Sequence, residues 1–225
     1  GLAQDQDEYG VHLIGGDTDS TPGPVCIAIA AFGEVPIGRM LRRGRARAGD
    51  TVFVTGTIGD SALGIEVLRN ALPDVGAVAA TFLVERYRVP RPRVALGPRL
   101  VGLANASIDV SDGLVADLRH ICEVSELAAV VEAPRLPLSV AARSVLVARP
   151  GHLATALTGG DDYEILFTAP PTAAGDLSRL SETLDVPITA IGRMQTPSSS
   201  TEDRVTVLDS NGQAMILRRS GWTHF

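Results

Sequence analysis

Lysine is missing from this 225-residue chain, and all 20 basic residues are arginine. That absence removes whole classes of phosphate and carbonyl chemistry. A Walker A loop ends in Gly-Lys-Ser/Thr and a protein kinase carries a lysine on its third strand, so neither machine is here. Schiff-base catalysis, which needs a lysine amine, is excluded as well. Aromatic residues make up 4%, so the core must be aliphatic. The two cysteines, Cys26 and Cys122, stand far apart without a Cys-x-x-Cys pattern and read as two buried, reduced thiols. Histidines 12, 120, 152 and 224 form no metal-spaced pair, and no nucleophile elbow, zincin pair or Rossmann glycine fingerprint occurs. The longest apolar runs, such as Val25 to Phe32, fall well short of the ~20 residues that span a bilayer. With no basic and apolar leader at the start, the chain reads as cytoplasmic with no membrane partner. A net charge of −6 argues against nucleic acid as a partner.

With 45% hydrophobic and 20% charged residues, the composition is that of a globular protein able to bury its own core. Residues 1–12 read as the end of a helix running into a short strand from Val11 to Ile14, and Cys26 to Ala31 as a buried strand. The spacing then predicts strands at Thr51–Thr55, Ala106–Val110, Ala128–Val131, Tyr163–Thr168 and Ile188–Ile191. A terminal hairpin follows, Val205–Leu208 with Met215–Leu217 around Asn211-Gly212. Helices are expected from a cap at Asp60-Ser61 to about Asn70, and over Asp74–Tyr87, Val94–Leu103, Asp112–Val124, Leu138–Val147 and Ala173–Leu184. Hairpin-linked strands among helices indicate an α+β fold with a mixed sheet. Five arginines between Arg39 and Arg47, flanked by Gly38 and Gly49, mark a junction.

Several constellations could carry chemistry. Gly15-Gly16-Asp17-Thr18 offers backbone N–H groups to a phosphate and a carboxylate to a hard cation, although taken alone a plain turn is the leading reading. In Asp109-Val110-Ser111-Asp112-Gly113 two carboxylates lie three residues apart at a strand-to-helix turn. Helix N-terminal N–H groups there suit phosphate and the carboxylates suit magnesium; simple helix capping is the alternative. Gly159-Gly160-Asp161-Asp162-Tyr163-Glu164 packs three acids into four residues, unfavourable unless something positive binds, or else a solvated loop. The arginine cluster reads mostly as surface charge screened by solvent, and one member could supply a phosphate clamp. Trp222, near the chain end, could plug the core or stack on a flat cationic ligand.

These stretches, in this order, resemble the thiamine-monophosphate kinase family. They are joined by Leu13-Ile14 before Gly15, Val54-Thr55-Gly56 with Gly59-Asp60-Ser61-Ala62, Pro90-Arg91-Pro92-Arg93, Asp117-Leu118, Leu136-Pro137-Leu138 and the Gly221-Trp222-Thr223-His224-Phe225 end. The resemblance implies a two-domain aminoimidazole-ribonucleotide-synthetase-like (PurM-like) α+β fold. Residues 1–37 would be the last portion of an N-terminal ATP-binding and dimerisation domain that begins, in the family, with a Gly-Asp-Asp-Ala-type motif this chain lacks. Residues 38–50 would be the junction and 51–225 the C-terminal domain. It implies a homodimer through the N-terminal domain, with thiamine phosphate and ATP as substrates and Mg2+ as cofactor. By residue, Gly16, Asp17, Arg43 and Ser111 would contact ATP; Asp17, Asp109 and Asp112 would hold magnesium; Asp161 and Trp222 would meet thiamine phosphate. No general base is assigned, because the acceptor phosphate is already an anion. A non-catalytic fragment of that enzyme, or a selenophosphate-synthetase-like or hydrogenase-maturation relative, are the alternatives.

Overall fold

The computed structural model describes residues 1–197, 204–217 and 221 and divides into two units, Gly1–Gly38 and Arg39–Phe225. In the first, α1 (Leu2–Tyr9) is closed by Gly10 at φ +65°, whose N–H donates to the Gln6 carbonyl at 3.0 Å. The two strands expected here, Val11–Ile14 and Cys26–Ala31, do not form. An apolar stretch becomes a strand only when another strand satisfies its backbone groups, and this unit offers none. Ile14, Val25, Ile27, Ile29 and Phe32 are consequently exposed, and Cys26, expected to be buried, is exposed too; Cys122 is buried.

The second unit is organised by a six-stranded sheet in the order β2-β4-β1-β5-β3-β6. Its strands are β1 (Thr51–Thr55), β2 (Ala106–Asp109), β3 (Ala128–Glu132), β4 (Ile165–Ala169), β5 (Ile188–Gln195) and β6 (Val205–Leu208). All neighbours are antiparallel except β3 and β6, so the sheet is mixed, as the pattern predicts. Both faces are covered. Val52, Val54 and Leu166 pack with Leu114, Leu118, Ile121 and Cys122 of α4 (Leu114–Val124). On the other face Phe53 and Phe167 stack with ring centroids 5.3 Å apart and join Leu96, Leu100 and Leu177 of α7 (Ala174–Leu184). A third cluster, including Leu63, Leu83 and Val145, welds α2 (Asp60–Leu68), α3 (Ala77–Arg88) and α5 (Val140–Ala148) together. Each such fully buried leucine contributes about 1.5–3 kcal/mol, which an aliphatic, aromatic-poor sequence supplies by number.

Three expectations need correction. Val94–Leu103 forms only a 3-10 turn at Gly97–Leu100, because Pro98 lacks the donor a longer helix requires. A short helix, α6 (Leu153–Thr158), occupies a stretch that had no predicted element. At the end of the sheet, Val207 accepts the Met215 N–H at 2.8 Å and Leu208 bridges Ala214, so the chain turns back around Asn211-Gly212. A second strand at Met215–Leu217 is not formed.

Candidate functional site

Strand β2 pairs with β4 as far as Asp109 opposite Ile165, and the backbone pairing then continues beyond both strands. Val110 N–H donates to the Glu164 carbonyl (2.9 Å), Tyr163 N–H to the Val110 carbonyl (2.9 Å), and Asp161 N–H to the Ser111 carbonyl (3.0 Å). The two acidic motifs, about fifty residues apart in sequence, are thereby one structural feature. Glycine makes it possible: a Cβ on Gly160 would fall inside the Ser111 carbonyl oxygen, and one on Gly113, at φ +124°, would meet the Thr158 carbonyl. Asp109 is exposed, Ser111, Asp112 and Asp161 are half-buried, and Val110 is buried between them, the alternation expected of strand register.

The turn after β2 is built differently from the expected free helix end. One carboxylate oxygen of Asp117 accepts the backbone N–H groups of Ser111 (3.0 Å), Asp112 (3.0 Å) and Gly113 (3.1 Å). These donors are already taken and do not wait for a phosphate. Burial pushes Asp117 up to about 6, opposed by those N–H bonds. Asp117 follows Asp112 by five positions, a spacing that only the loop geometry makes meaningful. Ligand atoms of Asp112, Asp117 and His120 lie within 4.8 Å of one another, and the half-buried and exposed carboxylates around this turn are the hard oxygen donors that fit magnesium.

The acid-rich Gly159–Glu164 stretch also sorts into two kinds. Glu164 is fully buried and answered from within: Arg93 reaches it with two nitrogens at 2.7 and 2.6 Å, Arg86 at 3.2 Å, and the Thr55 hydroxyl at 2.7 Å. Gly56, at φ +56°, leaves the room its carboxylate occupies. Asp162 is buried too, and accepts N–H bonds from Gly59 (2.6 Å) and Ser61 (3.2 Å). It therefore caps α2 from across the fold, the task expected of Asp60 or Ser61; Gly59 is the residue at the helix start. Asp60 instead sits buried in the first turn, taking hydrogen bonds from Thr57 and Ser139, and its carboxyl is raised above the usual range by burial. Ser61 donates to the Asp161 carbonyl at 2.7 Å. Of the three acids, only Asp161 is not buried.

Tyr163, to which the motif assigns no role, stands beside these acids. It is 38% exposed, and its phenol is raised above the ordinary tyrosine range by burial, by the charge of Asp161 and a hydrogen bond to it, and by the charges of Asp109 and Asp112. Carboxylates from both motifs thus ring one phenol. The signal in the sequence was only that a tyrosine stands inside the motif. Arg43 lies exposed in a 3-10 turn, its carbonyl accepting the Ser125 hydroxyl at 3.3 Å. Gly16 and Asp17 belong to the first unit, where both are exposed and Asp17 accepts the Thr18 N–H at 2.8 Å. Trp222 lies outside the described residues.

No family model matches the chain. Individual relatives do. It is 41% identical over 217 residues to the thiamine-monophosphate kinase of Escherichia coli K12, covering 96% of this chain and 64% of that protein. It is 39% identical over 222 residues to that of Haemophilus influenzae, covering 97% and 65%. Among solved structures, the thiamine-monophosphate kinase of Stenotrophomonas maltophilia K279a matches at 41% identity and TM-score 0.71, over 80% of this chain and 56% of that one. AaThiL complexed with AMPPCP and TMP matches at 32% identity and TM-score 0.67, over 83% and 55%. The hydrogenase maturation protein HypE in complex with ATP, at 19% identity and TM-score 0.64, shows the shared α+β fold alone. The resemblance carried by the motifs therefore extends along nearly the whole chain, to thiamine-monophosphate kinases of which it spans about 64% of the length.

Proposed function

We propose that this chain carries substrate- and nucleotide-binding parts of a thiamine-phosphate kinase, which transfers the γ-phosphoryl group of ATP to a phosphate oxygen of thiamine phosphate. The observation that carries this reading is the backbone-locked join of the Asp109–Asp112 turn to the Gly159–Asp161 turn, which gathers the carboxylates of both motifs. The acceptor is an anion near neutral pH and needs no deprotonation. What the reaction must overcome is repulsion between two polyanions. Magnesium, when bound, supplies the neutralising charge and holds the reacting groups in line. Asp109 and Asp112 are the residues assigned to hold it here, and Asp17 in the first unit. Gly16, Asp17, Arg43 and the Ser111 hydroxyl are assigned to ATP. Asp161 is assigned to the organic cation of thiamine phosphate, with Trp222 beside it on sequence grounds. Residues 1–37 are assigned to an ATP-binding domain that pairs with a second copy.

The test is to incubate the protein, in its natural full length, with thiamine phosphate, ATP and magnesium and to measure thiamine diphosphate. Product is expected, and Asp112→Asn should lower turnover at least about 100-fold with an unchanged melting temperature, since metal-ligand loss removes transition-state charge stabilisation. A protein that forms no product from these substrates overturns the reading; full turnover by Asp112→Asn overturns the metal assignment alone.

A further inference from the structure

Four donors converge on the Glu164 carboxylate. Its Oε1 accepts Arg93 Nη2 at 2.6 Å and Arg86 Nη2 at 3.2 Å, and its Oε2 accepts Arg93 Nε and the Thr55 hydroxyl, both at 2.7 Å. The group is withdrawn from water: the carboxylate is fully buried, and the Arg86 and Arg93 side chains are 11% and 21% exposed. A buried ion pair contributes little net stability, because the attraction barely offsets the desolvation of its charges, and a well-packed apolar group often does as well. What the two parallel bonds of a guanidinium fork do secure is one orientation. Arg93 arrives on Pro90-Arg91-Pro92-Arg93, an arm whose two prolines restrict its backbone. The residue it grips belongs to the join of the two acidic turns. The Glu164 carbonyl accepts the Val110 N–H at 2.9 Å, inside the Asp109–Asp112 turn, and three residues earlier the Asp161 N–H donates to the Ser111 carbonyl at 3.0 Å.

We infer that Arg93 is a positioning residue for the proposed reaction: its fork fixes Glu164, and through it the Gly159–Asp161 turn, so that the Asp161 carboxylate is held where a cationic organic substrate meets it. The inference rests on the assignment of Asp161 to thiamine phosphate. Arg93→Lys keeps a positive charge beside Glu164 and loses the planar fork that engages both oxygens, so it separates position from charge. An Arg93 that served stability alone would leave the affinity of the folded molecules as it was. A positioning Arg93 changes that affinity, because a charged contact misplaced by about 1 Å is weakened.

The experiment is calorimetric titration of the natural full-length protein with thiamine phosphate, well below the melting temperature of every variant. The proteins are wild type, Arg93→Lys, Asp161→Asn, the double variant of these two, and Leu177→Ala, which opens a cavity beneath α7 and lies in neither turn. Arg93→Lys should weaken thiamine phosphate about three- to tenfold, a part of what one hydrogen bond to a charged group is worth. Leu177→Ala should lower the melting temperature and leave the affinity as in wild type. In the Asp161→Asn background Arg93→Lys should add nothing, because no carboxylate is left to position. If Arg93→Lys does not fold, Thr55→Val carries the same comparison, since it removes another donor to the same carboxylate. Unchanged affinity in the clamp variant, an equal loss with Asp161 already replaced, or a similar loss in Leu177→Ala overturns the inference and leaves the proposed activity standing. A wild-type protein that does not bind thiamine phosphate, or an Asp161→Asn protein that binds it as wild type does, overturns the assignment on which the inference rests.

Discussion

Glu164 and Asp162 illustrate how much the meaning of an acidic residue depends on what answers its charge. Glu164 lies fully buried against two guanidinium groups, whereas Glu123 on α4 meets Arg119 with both side chains more than 40% exposed. Removing one partner of a buried pair leaves an uncompensated charge in low dielectric; removing an exposed partner leaves a solvated one. Arg93→Ala should therefore cost about 3 kcal/mol in urea unfolding, and Arg119→Ala less than about 0.5 kcal/mol. Asp162 makes a pH prediction. Burial raises it to about 7, against hydrogen bonds from the Gly59 and Ser61 N–H groups, with Asp60 raising it further and Arg86 lowering it. The folded protein binds this proton more tightly than the unfolded chain, so the neutral form favours folding. Its contribution is fully present below the ordinary carboxylate range and is lost as pH rises toward 7, then levels off. Urea midpoints should accordingly fall between about pH 5 and pH 7.5, and the fall should shrink in Asp162→Asn, which stays neutral throughout. A wild-type midpoint with no such slope would show that Asp162 is charged in the fold.

The join between the two acidic turns depends on glycines with no space for a side chain. Gly160→Ala forces a methyl into the Ser111 carbonyl and must push the turns apart, costing about 2–4 kcal/mol. Gly175→Ala in the first turn of α7 has nothing within 4 Å and should stabilise by about 0.5 kcal/mol through helix propensity. Thermal unfolding of the pair reads the contrast, and equal shifts would deny the close approach. This join was half legible in the sequence. Both glycine-acid motifs stand out as composition, and the strands and α4 that carry them follow from alternation and from the Leu114, Leu118, Ile121 stripe. That the motifs pair, and that Asp117 consumes the turn's free N–H groups, is tertiary information with no local period. The same holds for Arg86 and Arg93, which the sequence shows only as a helix end and a proline-rich linker. Conversely, the apolar run at Cys26–Ala31 reads as a buried strand and forms none, because a strand is a relation between two segments and one segment cannot specify it.

At the scale of the whole chain, the three hydrophobic clusters draw every member from residues 41 onward, so the core of Arg39–Phe225 is built without residues 1–38. The proposed chemistry does depend on them, because Gly16 and Asp17 are assigned to ATP and magnesium. The two claims separate cleanly in one truncation. A chain of residues 39–225 should unfold cooperatively, with a urea midpoint close to that of residues 1–225, since no core residue is lost. In the natural full-length protein, Asp17→Asn should leave that midpoint unchanged and lower turnover at least about 100-fold, as loss of a charge-neutralising carboxylate does in phosphoryl transfer. If residues 39–225 fail to fold, the sheet and its helices need support that the hydrophobic clusters do not reveal. If they fold and Asp17→Asn still turns over normally, the Gly15–Thr18 stretch is the plain turn to which its sequence alone points, and the carboxylates of the second unit carry the metal without it.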